Sequence, residues 1–146
     1  MKKYYKILVI PAMIIIVAGF FSGFGSQSSS VEDLLRERTT VMQNAYYGKI
    51  DMEKAETRLK EIETYPLISE DIQSIRDLKS TEVDMVRSMD FLSVKKTSKL
   101  FDYISYEVEI QWDMKGLNEN YISTNKYTVI MKSQDDKVKI SEFNLK

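Results

Sequence analysis

Hydrophobic residues in the first half of the chain recur with the spacing of helices that bury one side. Between positions 31 and 45 they return every three or four residues, and the stripe that they form includes one charged residue, Arg38. Gly48 is a helix stop, Asp51 is a suitable N-cap for a second segment, and Pro66 separates that segment from a shorter third one. The pattern predicts three helices.

From about residue 81 the spacing changes to the alternation that is typical of strands. Residues 83–94 carry hydrophobic side chains in both phases, which indicates a strand that is buried on both sides or bulged. Residues 103–114 alternate cleanly, and strands at about 121–132 and 138–145 follow after turns, the last with a phase slip that indicates a bulge. The predicted class is α+β, with three helices packed on one face of a curved antiparallel sheet of about four strands.

A separate hydrophobic segment precedes these elements. Residues 7–24 contain no charge over 18 positions. As a helix they would span about 27 Å, close to the hydrocarbon thickness of a bilayer. Lys2, Lys3 and Lys6 come before this segment, and the first basic residue after it is Arg36. The positive-inside rule therefore predicts a cytoplasmic N-terminus and an extracytoplasmic C-terminal part.

Two interpretations of the segment share that topology. An uncleaved signal anchor would leave a single-pass membrane protein, and cleavage of a signal peptide after Gly25 or Ser28 would release a secreted one. The apolar run is longer than the core of a typical signal peptide, which favours the anchor. The predicted organisation is an anchor or signal peptide at 1–25, a Ser-rich linker at 26–30 and one extracytoplasmic domain at 31–146.

Composition excludes several kinds of site. The chain has no cysteine and no histidine, so disulfides, thiolate or imidazole metal ligands and triads that need histidine are all excluded. Residues from about 27 onward carry 18 basic against 22 acidic side chains. This acidic balance makes nucleic acid an improbable partner. We expect no cofactor and no metal.

The order of the elements resembles the nuclear transport factor 2-like (cystatin-like) superfamily. The likeness covers residues 30–146 and rests on the helix order, on the break at Tyr65-Pro66-Leu67-Ile68 and on the alternating strand at 103–114. With a membrane helix in front, the layout is similar to assembly components of conjugation and type IV secretion machines, and to small exported proteins of Gram-positive bacteria. The superfamily includes isomerases and dehydratases, but none of their catalytic residues matches a position in this chain.

Candidate binding residues lie on and beside the alternating strand. Tyrosine and tryptophan are enriched at protein interfaces, so the predicted interface combines aromatic and polar side chains: Tyr103, Glu107, Glu109, Gln111, Trp112 and Tyr121. The carboxylates of Glu107, Glu109 and Asp113 share one face of the strand. The pattern predicts that this face is solvated, so these carboxylates are unsuited to acid–base catalysis. The pair Asp135-Asp136 is typical of a turn. The three lysines Lys95, Lys96 and Lys99 indicate a basic loop between the first two strands.

These observations favour a non-enzymatic binding or assembly module, held outside the membrane and in contact with another protein. One alternative is a secreted or tethered pocket protein on the same fold that binds a small molecule, with or without enzymatic activity. Another is a surface immunity or stress protein. The sequence leaves these alternatives open.

Overall fold

The structure is a computed structural model that describes residues 26–78 and 83–146. It contains three helices, α1 (Ser26–Tyr46), α2 (Met52–Ile62) and α3 (Leu67–Asp77). The predicted membrane segment at 7–24 and its candidate cleavage site after Gly25 lie outside the described residues. Within the described part, no helix combines the length and the apolar character needed to span a bilayer.

Four antiparallel strands follow the helices. They are β1 (Met85–Leu100), β2 (Tyr103–Lys115), β3 (Asn120–Gln134) and β4 (Lys137–Leu145). Their order in the sheet is the order in the chain, so the sheet is a meander with β1 and β4 at its edges. The predicted α+β class, with three helices and four antiparallel strands, is confirmed.

The helices pack on one face of the sheet, because only that face of β2 is apolar. Tyr106, Val108 and Ile110 of β2 are buried against Val31 and Leu35 of α1. A second cluster joins the helices to one another and includes Val41, Ala55, Leu59 and Ile75. The other face, called the open face below, carries the odd-numbered residues of β2.

Local signals in the sequence set the ends of the first two helices. Gly48 adopts φ +67°, a left-handed conformation that costs glycine little. Asp51 caps α2, since its Oδ1 accepts a hydrogen bond from the backbone N–H of Lys54 at 2.7 Å. The predicted cap and stop are both confirmed, and they let α2 turn back and pack beside α1.

Two predicted loops are corrected by the structure. Residues 26–30, predicted as a linker, form the start of α1. Serine in a Ser-rich segment is only mildly unfavourable in a helix, so α1 extends through it. Lys95, Lys96 and Lys99 lie in β1 rather than in a loop, because strand pairing continues to Leu100.

Bulges explain the irregular phases of the outer strands. The register of β1 against β2 shifts at three places, between Val86 and Ser88, between Phe91 and Ser93, and between Lys96 and Ser98. The register of β4 shifts beside Ile140. Each shift moves later side chains to the opposite face. The bulged alternative for the first strand and the bulge in the last strand are therefore confirmed.

Side chains of α1 cover the outer edge of β1 along its first half. Gln43 donates through Nε2 to the Val86 carbonyl at 3.1 Å and accepts through Oε1 from the Val86 N–H at 2.6 Å. Arg36 Nη1 donates to the Met89 carbonyl at 2.5 Å. Tyr47 donates through its hydroxyl to the Val83 carbonyl at 2.7 Å. These contacts occupy backbone groups that a further strand would need.

The turn between β3 and β4 allows a test of the backbone conformation. Asp135 and Asp136 both have positive φ, +52° and +60°, as in the two-residue hairpin turn that favours glycine at its second position. We expect Asp136→Gly to raise the free energy of unfolding by about 1 kcal/mol in a urea titration. Asp136→Ala keeps a Cβ in the strained conformation and serves as the control. A gain of equal size in both variants would contradict this explanation.

Candidate functional site

The predicted interface residues divide between the two faces of the sheet. Tyr103, Glu107, Glu109 and Gln111 lie on the open face of β2. Trp112 lies on the helix-facing side, and Tyr121 lies beside Met114 on that same side. The six residues therefore do not form one continuous surface.

Charges on the open face are paired rather than clustered by sign. Glu107 lies opposite Lys95 on β1 and forms an ion pair with Lys146. Glu109 lies opposite Lys126 on β3. The hydrogen bond and charge of Lys146 lower the pKa of the Glu107 carboxyl. Glu107 is therefore ionised at neutral pH, and nothing in its surroundings suits it to hold a proton for general acid catalysis.

The acidic turn at Asp135-Asp136 is exposed. In the part of the chain that the structure describes, no group of three or more carboxylates is placed to hold a metal ion. Two adjacent aspartates in a hairpin turn supply too few ligands for a hard cation. The turn therefore provides no candidate metal site.

A shallow cavity lies on the helix-facing side of the sheet, at the end formed by the β2–β3 turn. This cavity, called the hollow below, has a volume of about 290 Å³ and is open to solvent. Its lining combines apolar and aromatic side chains with small polar groups: Val86, Trp112, Met114, Tyr121, Ser123, Asn125 and Tyr127. Tyr121 donates a hydrogen bond from its hydroxyl to Asp84 Oδ2 at 2.6 Å, which fixes one rim.

Aromatic contacts hold the wall of the hollow in place. Trp112 Nε1 donates to the Tyr127 hydroxyl at 3.0 Å, and the two rings meet edge to face. The ring of Tyr127 stacks on Phe143 with a centroid distance of 4.5 Å, and the guanidinium of Arg38 lies 5.0 Å from the centroid of Phe143. The side chains of Trp112 and Tyr127 are thus held in fixed orientations by contacts within the domain.

Arg38 also belongs to a buried charged cluster that joins the helices. Its Nε and Nη2 donate to the two carboxylate oxygens of Asp71 at 2.6 and 2.7 Å. Glu63 Oε1 lies 3.3 Å from Arg38 Nε, and Glu63 is only 2% exposed. The cluster therefore connects α1, the end of α2 and α3, with two carboxyl groups around one guanidinium.

The surroundings of Glu63 favour its neutral form. Burial is the largest cause, and the proximity and charge of the Asp71 carboxyl add to it, so the pKa of Glu63 rises to about 9. The charge of Arg38 opposes this shift without cancelling it. Neither oxygen of Glu63 accepts a well-aligned hydrogen bond, and an ionised carboxylate would need several. Glu63 is therefore protonated at neutral pH.

The cluster does not open into the hollow. Neither Glu63 nor Asp71 lines it, and no carboxylate, lysine or arginine is among its lining residues. The hollow therefore offers apolar surface and hydrogen-bonding groups, but no titratable acid or base apart from tyrosine.

Sequence reasoning identified Trp112 and Tyr121 but missed their neighbours Tyr127, Ser123 and Asn125 as part of a site. It also missed the cluster of Arg38, Glu63 and Asp71. The neighbours are recognised only from the register of β2 against β3, which places Ser123 opposite Trp112. For the cluster, one signal was present in the sequence. A single arginine on an otherwise apolar helix stripe requires buried acidic partners.

No protein-family model matches the chain, and no curated protein matches it. A solved structure of the intermembrane space region of chloroplast protein ARC6 aligns with 82% of this chain and 95% of its own length, at 11% sequence identity and a TM-score of 0.46. A likeness at this level carries no functional argument. The function is therefore inferred from the geometry of the hollow itself.

Proposed function

We propose that the chain is a non-enzymatic binding module, tethered outside a membrane by residues 7–24, that contacts another protein through the hollow. The tether is supported by the uncharged run, by the lysines before it and by the absence of a basic residue between the run and Arg36. In this proposal the N-terminus is cytoplasmic and residues 26–146 are extracytoplasmic.

The observation that carries the proposal is the exposure of oriented aromatic side chains in an open concavity. Trp112 and Tyr121 are partly exposed, and the Trp112–Tyr127 hydrogen bond fixes the geometry without closing the site. Tyrosine and tryptophan are enriched at binding hot spots, because they bring large apolar area at a small cost in conformational entropy. The proposed partner inserts one or two apolar side chains and hydrogen-bonds to Ser123 or Asn125.

The proposed fold family is the nuclear transport factor 2-like superfamily. Three helices that cover one face of an antiparallel meander support it. No family model matches the chain, and the chain has no motif that is diagnostic of the superfamily. A tethered domain of this kind suits a component of an exported assembly, such as a conjugation or type IV secretion machine. Proteins of such machines act by contact, and the hollow lacks the acid–base groups that an enzyme of the superfamily would need.

A photo-crosslinking amino acid at two adjacent positions of β3 tests the proposal. Ser123 lines the hollow, whereas Thr124 is exposed on the open face, so the two positions differ by one residue and sample opposite sides of the sheet. We expect crosslinking to a protein in the native cell from position 123 and not from position 124. Tyr121→Ala should weaken that partner's affinity about tenfold, as expected for the loss of one aromatic anchor.

Each other outcome supports a different account. Crosslinking from position 124 alone would indicate that the interface lies on the open face. Four of the predicted interface residues lie there: Tyr103, Glu107, Glu109 and Gln111. If no protein is crosslinked at either position, a small-molecule ligand would be favoured. The open volume of about 290 Å³ is near the lower limit for small-molecule pockets. A reporter fused after Lys146 that is active only in the cytosol would contradict the extracytoplasmic location.

A further inference from the structure

The turn between β1 and β2 exposes large apolar side chains at the end of the sheet opposite the hollow. Leu100 is 67% and Phe101 is 87% exposed, and Tyr103 is also exposed beside them. Residues 100–103 are called the hairpin tip below. Because β2 runs from Tyr103 at the tip to Lys115 at the β2–β3 turn, the tip and the hollow lie at opposite ends of the same strand.

Phe101 is unfavourable for folding on two counts. It leaves a large apolar ring in water, and its backbone has φ +52°, in the left-handed region that penalises side chains with a Cβ. Glycine or asparagine would meet the backbone requirement at lower cost. A bulky exposed aromatic at such a position points to a contact made outside the domain.

The strands next to the tip are basic. Lys95, Lys96 and Lys99 are all exposed on β1, near Asp102 in the turn and Glu107, which lies opposite Lys95. Lys132 Nζ lies 5.5 Å from the ring centroid of Tyr103 and adds a fourth positive charge. The neighbouring β3–β4 turn carries Asp135, Asp136 and Lys137, so it reduces the positive balance of this end without reversing it.

The direction of α1 places the start of the helix toward this same end. Tyr47 contacts Val83, Gln43 contacts Val86 and Arg36 contacts Met89, so α1 runs antiparallel to β1. The hairpin tip and the start of α1 therefore lie toward the same end of the domain.

We propose that the hairpin tip is a second membrane contact, in which Phe101 and Leu100 enter the headgroup region of the bilayer and the lysines of β1 bind anionic phospholipid headgroups. The proposal rests on the tether in the proposed function, since residues 7–24 would emerge from the membrane near this end. Exposed aromatics flanked by lysines are the composition that the membrane interface selects. The contact would turn the hollow away from the bilayer.

A fluorescent label in the reconstituted full chain tests this contact. The chain has no cysteine, so one introduced cysteine gives a single labelled site. Asp102→Cys labels the hairpin tip, and Glu119→Cys labels an acidic position that is also exposed, in the β2–β3 turn at the far end. In vesicles of phosphatidylglycerol and phosphatidylcholine with nitroxide headgroups, we expect about threefold stronger quenching at position 102 than at position 119.

Two further variants separate the contributions, both made with the label at position 102. Phe101→Gly should abolish most of the quenching while raising the thermal midpoint by about 3 °C, because it removes the left-handed strain. Lys96→Gln with Lys99→Gln should lower quenching about twofold in anionic vesicles and not in pure phosphatidylcholine. Unchanged quenching in Phe101→Gly would overturn the proposal.

Sedimentation of the vesicles distinguishes failure of this contact from failure of the tether. A chain that does not sediment with vesicles at all would contradict residues 7–24 as an anchor, and with it the proposed function. A chain that sediments but is quenched equally at positions 102 and 119 would contradict only the second contact.

Discussion

Replacing Arg38 with methionine should lower the free energy of unfolding at pH 7 by about 3–5 kcal/mol, the range for removing one partner of a buried ion pair. The two carboxyl groups that face it, Asp71 at 2.6 Å and Glu63 at 3.3 Å, would then be left in the core without a cation. The variant also removes the contact with Phe143, which supports the wall of the hollow. Urea unfolding at pH 7 measures the loss.

Arg58→Met is the matched control for this prediction. Arg58 pairs with Glu37 at 3.3 Å, but the two side chains are 40% and 39% exposed. Such a pair contributes less than about 1 kcal/mol. Combining Arg38→Met with Asp71→Leu should recover most of the loss, because both charges then leave the core together. Equal losses in the Arg38 and Arg58 variants would show that burial of the cluster has no energetic consequence.

Glu63→Gln should stabilise the protein at neutral and alkaline pH and leave it unchanged in acid. The native chain keeps the Glu63 proton up to about pH 9, whereas the unfolded chain loses it near the ordinary value of 4.5. Unfolding therefore releases a proton between these two values, and the stability of the native protein falls as pH rises through that window. At pH 7 the difference amounts to about 3 kcal/mol.

The glutamine variant removes this cost because its amide is neutral in both states. The measurement is the free energy of unfolding of both proteins at pH 4, 5.5, 7 and 8. We expect the curves to meet at pH 4 and to diverge steadily above pH 5. A constant difference across the series would contradict a protonated Glu63 in the native state.

The fold could be predicted where each local pattern had one interpretation. The alternation over residues 103–114 fixes which side chains of β2 face the helices, and the structure buries Tyr106, Val108 and Ile110 accordingly. Caps and stops are short-range features as well, so Asp51 and Gly48 could be identified from the chain alone. The length of β1 could not, since the pairing of Lys95–Leu100 depends on β2 and not on local preference.

The buried cluster depends on contacts across the sequence. Glu63 follows the last turn of α2, and Asp71 lies in the first half of α3, positions at which acidic residues are ordinarily solvated. Only the packing of α1 against both elements places the two carboxyls around Arg38. An arginine on an apolar stripe needs buried acidic partners, but 25 and 33 residues separate Arg38 from Glu63 and Asp71.

The predicted interface combined residues from both faces of the sheet for a related reason. Gln111 and Trp112 are neighbours in the chain, and neighbours in a strand point to opposite faces. Because the residues were grouped by strand, the predicted interface combined the open face with the helix-facing side. The hollow emerges only when the register brings Ser123 beside Trp112 and Tyr121 beside Met114.

The contacts between α1 and the edge of β1 have a mechanical consequence. A pull on a tethered chain would enter the domain at Ser26 and run along α1, antiparallel to β1. The amide of Gln43 holds both backbone groups of Val86, and Arg36 holds Met89 farther along the same edge. These bonds would be loaded together, in shear, rather than opened one after another. Helix α1 would therefore transmit a force applied at Ser26 to the sheet through several hydrogen bonds at once.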